Sequence, residues 1–412
     1  MTRSRGAGWE SRTGPVPAEG GAAVPGQLIG PLEVGPIAHG GHWVARHEGR
    51  VVFVRHALAG ERVMVRLTDT SHASFWRGDA VEVLEPSPHR VSAPCPIAHR
   101  CGGCDLQHVD PAAQSGLKTQ VLRDQLTRLS RVEPALVEAV EVEPVEPVVG
   151  WRTRMQYRTA RDADGRTRVG LRAHRSHEVV PLPDHGCLIA APGPSVEELV
   201  QVAEAHQAEV VQVVAADPPT VLADRQVIRG ADVVAHAVLG RRDRVRADGF
   251  WQVHPRAAEV LVGTVLRMLE PRPGERALDL YCGVGLFAGA LVDAGAEVVG
   301  VETSRSAVAL ARENVPEARF IAAPLERALA RLPRRVDLVV LDPPRAGAGA
   351  KVVRHVAGLG ARAIVHVGCD PASFARDLGL FERAGYRTTQ LRAFDLFGMT
   401  HHFESVALLQ RM

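Results

Sequence analysis

The chain has 412 residues, 46% hydrophobic and 23% charged, with a formal net charge of +2. This is the composition of a globular protein of two or three domains. No stretch approaches the roughly 18–20 continuous apolar residues of a helical membrane span, which excludes that class.

Residues 1–26, MTRSRGAGWESRTGPVPAEGGAAVPG, carry arginines but no apolar core. They read as a disordered tail and not as a signal peptide, so the protein is expected in the cytoplasm. Thiols stay reduced there, and clustered cysteines bind metal or do chemistry more often than they form disulfides. Residues 27–86 alternate short β-like runs with glycine turns. RVVFVRHAL and RVMVRL have the β-branched, period-two character of strands, and GDAVEVLEPS follows. Several strands in so short a span predict a small barrel of oligonucleotide-binding type. The prolines of PSPHRVSAPCP mark its end.

Residues 95–245 read as a mixed central domain. It opens on PCPIAHRCGGCDLQHV, with Cys95, Cys101 and Cys104. A helix is expected over DPAAQSGLKTQVLRDQLTRLS, then arginine-rich strands, then a helix in PSVEELVQVAEAHQ that starts at Ser195 with Glu198 three residues on. Between Trp151 and Glu178 eight arginines face three acids, and GRRDRVRADGFWQVHPR forms a second basic run. Such patches suit a phosphate backbone, although the near-absence of lysine outside Lys118 and Lys351 also fits a composition that simply favours arginine.

Residues 246–412 change texture. RALDLYCG, EVVGVE, RFIAA, DLVVLDPP and AIVHVGCDP are nearly continuous apolar strands, with helices such as LFAGALVDAG, SRSAVALARENV and PASFARDLGLFERAG between them. That alternation predicts an α/β fold with a parallel sheet covered on both faces. Gly283 and Gly285 stand at the first strand-to-helix turn, where glycine lets a cofactor approach the backbone, and Glu302 ends the next strand, where an acid can accept from ribose hydroxyls. The third glycine of a dinucleotide fingerprint is Ala288 here, which favours S-adenosylmethionine over NAD. Asp342, in LVVLDPPRAG, ends another strand and faces the same crevice behind a rigid proline rim. Cys369 closes a fifth strand just before Asp370-Pro371 and a helix, whose dipole is expected to favour thiolate. Glu404 precedes the apolar run SVALLQ, where desolvation would raise its pKa and suit it to be a general base.

Taken together, FWQVHP, DLYCGVGLF, GVE, LDPPRAG, VGCDP and HHFESVALL resemble, in order, the RNA uracil-5-methyltransferase family, over almost everything after the tail. The resemblance implies a C-terminal Rossmann-like methyltransferase sheet. It also implies that residues 27–86 are a TRAM-type RNA-binding barrel. Gln252, Tyr281, Glu302 and Asp342 would contact S-adenosylmethionine, Cys369 would be the nucleophile and Glu404 the base. Cys95, Cys101, Cys104 and the distant Cys187 resemble the four-cysteine [4Fe–4S] site of the ribosomal-RNA members. A zinc ribbon would more often place a second Cys-x2-Cys pair nearby. Leu286, Pro324 and His254 depart from residues that some members carry.

The implied substrate is a loop or single-stranded uridine in RNA, ribosomal by the cysteines, with transfer RNA as the alternative. No membrane and no obligate protein partner are implied, and a monomer is expected. Two other readings are a nucleotide-dependent iron–sulfur oxidoreductase and a non-catalytic RNA-binding protein. A nearer rival, methylation of an adenine amino group, goes with an aromatic residue after Pro-Pro; this chain has Arg345 there.

Overall fold

The structure, a computed structural model, describes residues 23–412. The expected tail falls almost wholly outside them; at its end the Gly26 amide donates to Leu67 O at 2.7 Å. The described residues form two compact units, one of residues 23–36 and 42–87, the other of residues 37–41 and 88–412.

The first unit is a closed barrel. Its strands are β1 (Leu28–Ala38), β2 (His42–His47), β3 (Arg50–Arg55), β4 (Arg62–Asp69) and β5 (Phe75–Glu85), in the order β1-β2-β3-β5-β4, and β1 pairs with β4 to close it. Alternation along the strands sends Val52, Val54, Val63, Val65 and Leu67 into the barrel core.

In the second unit, α1 (Pro111–Leu129) starts at Asp110, whose side chain accepts from the Ala112 amide, and carries proline in its first turn, where no amide partner is lost. It is followed by α2 (Pro134–Ala139) and β6 (Val142–Pro144). A six-stranded antiparallel sheet comes next: β7 (Arg154–Arg161), β8 (Thr167–Arg172), β9 (Val179–Pro181), then α3 (Val196–His206), β10 (Val210–Val214), β11 (Thr220–Ala223) and β12 (Gln226–Arg229). The expected capping box of α3 is complete: Ser195 Oγ accepts from the Glu198 amide and Glu198 accepts from the Ser195 amide. A hairpin of β13 (Val233–Val238) and β14 (Arg241–Arg246) leads on.

The rest is α4 (Ala257–Leu269), β15 (Arg276–Leu280), α5 (Leu286–Asp293), β16 (Glu297–Glu302), α6 (Arg305–Asn314), β17 (Arg319–Ala322), α7 (Leu325–Ala328), β18 (Leu338–Leu341), α8 (Gly349–Gly358), β19 (Ala363–Gly368), α9 (Pro371–Arg383), β20 (Tyr386–Asp395) and β21 (Glu404–Arg411). The sheet order is β17-β16-β15-β18-β19-β21-β20-β6. β15 to β19 are parallel as expected, and the register Leu278↔Val339, Val340↔Val365 keeps their carboxyl ends level. β21 runs antiparallel between β19 and β20, so the sheet is mixed. Both faces of β18 are buried: Val339 and Leu341 join one core with α8 and α9, Leu338 and Val340 the other with α4 to α6. The short β6, reached from α1, pairs with β20 and widens this sheet. Among the described residues no helix is long and apolar enough to cross a membrane.

Candidate active site

The carboxyl edge of the parallel strands opens into a cavity of about 1080 Å³. All but one of the residues expected at the donor or reacting centre line it: Gln252, Tyr281, Gly283, Glu302, Asp342, Cys369 and Glu404. Gly285 is the exception; it caps α5 at φ +94.

The turn after β15 is built from unusual backbone. Tyr281 and Gly283 have φ +66 and +53, and a Cβ at Gly283 would meet nothing within 4 Å, so its bare backbone faces open space. Glu302 braces this turn: its Oε2 accepts from the Gly283 amide at 3.2 Å and its Oε1 from the Ser304 amide at 2.7 Å. Behind it Asp279 Oδ2 accepts from the Ala288 amide at 2.8 Å, and burial pushes Asp279 up to about 7. Burial also lifts Tyr281, to about 12. Gln252 is reached from β14 through a turn whose carbonyls, at Arg246, Ala247 and Gly249, all accept from Arg154 Nη1.

Cys369 follows the last residue of β19, and Asp370 caps α9 by accepting from the Ser373 amide at 2.8 Å. The dipole was expected to favour thiolate. Instead the thiol is pushed up to about 12, first by burial, then by the Glu404 and Asp342 carboxylates, with Arg345 opposing. The helix end is already capped by Asp370, and two acids in the same cavity outweigh what remains of its field. Glu404 opens β21 and is 5% exposed. Burial, then Asp342, hold it well above the usual carboxylate range, the direction expected for it. Its Oε2 has no hydrogen-bond partner among the described residues. Burial raises Asp342 as well, with His366 opposing.

Four further side chains line the cavity: Arg345, His401, His402 and Asp105. Arg345 Nη2 lies 3.1 Å from His402 Nε2, and His402 is held down to about 3 by burial, His401 and Arg345, so its ring is neutral. Asp105 Oδ2 lies 2.6 Å from His401 Nδ1. Arg345 sits inside LDPPRAG, and both histidines sit inside HHFE, so the motifs that carried Asp342 and Glu404 could have flagged them. Nothing local in the sequence links Asp105 to His401.

The cysteine group lies at one end of the same unit. Cys95, Cys101 and Cys104 are buried and Cys187 is half-buried, and no disulfide joins them. Cys104 is pushed up to about 12 by burial and also feels Cys187 and Cys101; Cys187 is raised by burial and feels Cys95. The distant Cys187 is therefore brought near Cys104 and Cys95. Among the described residues, no three His, Cys, Asp or Glu side chains form a group that could hold a metal ion.

Residues 326–412 match the family described as tRNA (Uracil-5-)-methyltransferase, and residues 277–346 match a methyltransferase domain. An uncharacterized RNA methyltransferase of Streptomyces avermitilis is 46% identical over 427 residues, covering 92% of this chain and 97% of the relative. The 23S rRNA (uracil(1939)-C(5))-methyltransferase RlmD of Thiobacillus denitrificans is 33% identical, over 92% of this chain and 99% of that protein. The fold is shared with the Pyrococcus abyssi tRNA (uracil-54, C5)-methyltransferase solved with S-adenosyl-L-homocysteine, at a TM-score of 0.69 and 22% identity over 92% of this chain and 99% of that one. With its motifs gathered at one sheet edge and relatives aligned over nearly their whole length, the chain belongs to the RNA uracil-5-methyltransferase family.

Proposed function

We propose that the protein transfers a methyl group from S-adenosylmethionine to carbon 5 of a uridine in RNA, through a covalent bond between Cys369 and carbon 6. One observation carries this reading. A single cavity holds a thiol, a buried carboxylate with an unpartnered oxygen, and a glycine turn braced by an acid. The open space over Gly283 and the Glu302 carboxylate suit a ribose-bearing methyl donor, with Tyr281, Gln252 and Asp342 as further contacts. Bound there, the donor supplies an electrophilic methyl group.

Carbon 5 of uracil is a weak nucleophile. Addition of the Cys369 thiolate at carbon 6 makes an enolate and loads electron density onto carbon 5, which can then take the methyl group. The carbon 5–hydrogen bond must break next. Its proton goes to Glu404, the electron pair restores the carbon 5–carbon 6 double bond, and the carbon–sulfur bond opens to free Cys369. A raised pKa suits Glu404 to accept that proton, and the high pKa of Cys369 makes the thiolate a strong nucleophile once formed. The target base has to leave its stack to enter the cavity.

The similarity to RlmD favours 23S ribosomal RNA over transfer RNA as substrate. The barrel and the arginine-rich strands are assigned to gripping RNA. The four cysteines are assigned to a [4Fe–4S] cluster. A cubane spreads its thiolates around four corners, so the ligands need not converge on a point as they would for one ion. The donor set suits it: four thiols and no competing carboxylate among those four positions. The methyl-transfer steps do not use it.

Cys369→Ala and Glu404→Gln test the chemistry, each mixed with cellular RNA and a methyl-labelled donor and run on denaturing gels. Glu404→Gln is expected to stall as a labelled protein–RNA band, and Cys369→Ala to give none. Methylation at carbon 5 by Cys369→Ala would remove the nucleophile. Normal turnover by Glu404→Gln would move the base elsewhere, with His401 and His402 nearest in sequence.

A further inference from the structure

The segment from Asp395 to Phe403 leads from β20 into Glu404 and walls the cavity with Phe397, Thr400, His401 and His402. It contains a strained point. Met399 has φ +69, a left-handed conformation that costs free energy for any residue with a Cβ. Its neighbour Gly398 is confined as well, since a Cβ there would collide with Val148 O. Such a path persists only where surrounding contacts over-determine it.

Those contacts come from α1 and from the loop just after Cys104. The Met399 amide donates to Gln114 Oε1 at 2.9 Å, and Gln114 Nε2 reaches Met399 Sδ at 3.4 Å. The Met399 carbonyl accepts from two amides, Asp105 at 3.0 Å and Leu106 at 2.9 Å. One turn along α1, on the same face, Lys118 Nζ donates to Asp395 Oδ1 at 2.5 Å and to Phe397 O at 3.2 Å. Asp105 Oδ2 accepts from the His401 amide at 3.3 Å. Lys118 is 1% exposed and is one of only two lysines in a chain with 49 basic residues. Where arginine serves almost everywhere else, a lysine stands at the place that needs a compact ammonium between a carboxylate and a carbonyl.

We propose that Gln114, Lys118 and Asp105 are positioning residues for Glu404. They latch the segment before β21 in the path that presents the Glu404 carboxylate to the cavity. This rests on Glu404 being the group that takes the proton from carbon 5. Loosening the latch then slows proton removal and leaves the earlier steps intact.

The test uses the full chain, S-adenosylmethionine, and RNA carrying tritium at carbon 5 of uridine from cells lacking this protein. Lys118→Met, Gln114→Met and Glu404→Gln are compared. For the two latch variants, donor affinity by calorimetry is expected within about twofold of the parent. Tritium release is expected to fall by about ten- to a hundredfold while single-turnover methyl transfer persists and the covalent protein–RNA band accumulates. Lys118→Met leaves Asp395 buried without its cation; should it fail to fold, Gln114→Met, which removes no charge, carries the test. Normal tritium release from a folded latch variant overturns the proposal. So does an equal loss of methyl transfer and donor affinity, which marks general unfolding of the site. If Glu404→Gln turns over normally, the base assignment falls and the latch falls with it. If Glu404→Gln stalls and the latch variants run normally, only the latch falls.

Discussion

Cys369 is the residue whose environment constrains the reaction most. A thiol lifted to about 12 by burial and by two carboxylates is almost entirely protonated at neutral pH. The thiolate fraction, and with it alkylation by iodoacetamide, is expected to rise about tenfold per pH unit from pH 6 to 9. Mass spectrometry of the Cys369 peptide follows this separately from the other five cysteines. The neighbours act with opposite signs. At a pH where Glu404 is ionised, Glu404→Gln removes a negative charge, lowers the thiol pKa and speeds alkylation; Arg345→Ala removes the opposing cation and slows it. A rate that levels off below pH 9 would mean the thiol ionises easily and the acids do not govern it. Cys369, Glu404 and Asp342 were legible in the sequence because each ends or begins an apolar strand, and strand ends define the sheet edge. Arg345 and His402 sit in the same motifs, but their mutual approach is something no local pattern reports.

The turn between β15 and α5 shows at the scale of an element how two neighbouring glycines differ. Both have positive φ, which disfavours any other residue by about 1 kcal/mol. Gly285 is also crowded: a Cβ there would lie 3.2 Å from Val315 Cγ2 and 3.4 Å from Phe320 Cζ. Gly283 faces open cavity instead. Gly285→Ala is therefore expected to lower the thermal midpoint more than Gly283→Ala does. Gly283→Ala, with its new methyl group in the donor's space, is expected to lose more donor affinity for a given loss of stability. Equal effects of the two substitutions on melting and on calorimetric donor binding would refute the distinction. In this half β15 to β19 and β21 follow from their apolar runs, and α6 and α9 start at side-chain caps, Ser304 and Asp370. β6 and β20 escaped notice: the first has three residues, and the second, YRTTQLRAFD, is polar enough to read as surface.

For the whole molecule, the cysteine assignment has one decisive measurement. Anaerobic purification after iron-replete expression is expected to give brown protein with about four irons per chain. Replacing Cys187 should bleach it as fully as replacing Cys101, because the proposed cluster takes one thiolate from each of the four cysteines. Colourless protein loaded with zinc would overturn the assignment. The expected outcome for Cys187 is a whole-molecule matter, since it comes from the stretch between β9 and α3, far along the chain from Cys104.

By itself the sequence determined most of the strands and helices in the C-terminal half, where the carboxyl edge of its sheet lies, and most of the residues singled out to line the cavity there. Those properties are local: apolar period, glycine at a turn, an acid or thiol at a strand end. Tertiary structure alone decided the rest. It packed α1 and β6 of the central stretch with the C-terminal sheet, set the polarity of β21, and brought Cys187 near Cys104 and Cys95. It also set the ionisation of Cys369, against the expectation from its helix, because burial and the charge of residues distant in sequence outweigh the field of a capped helix end.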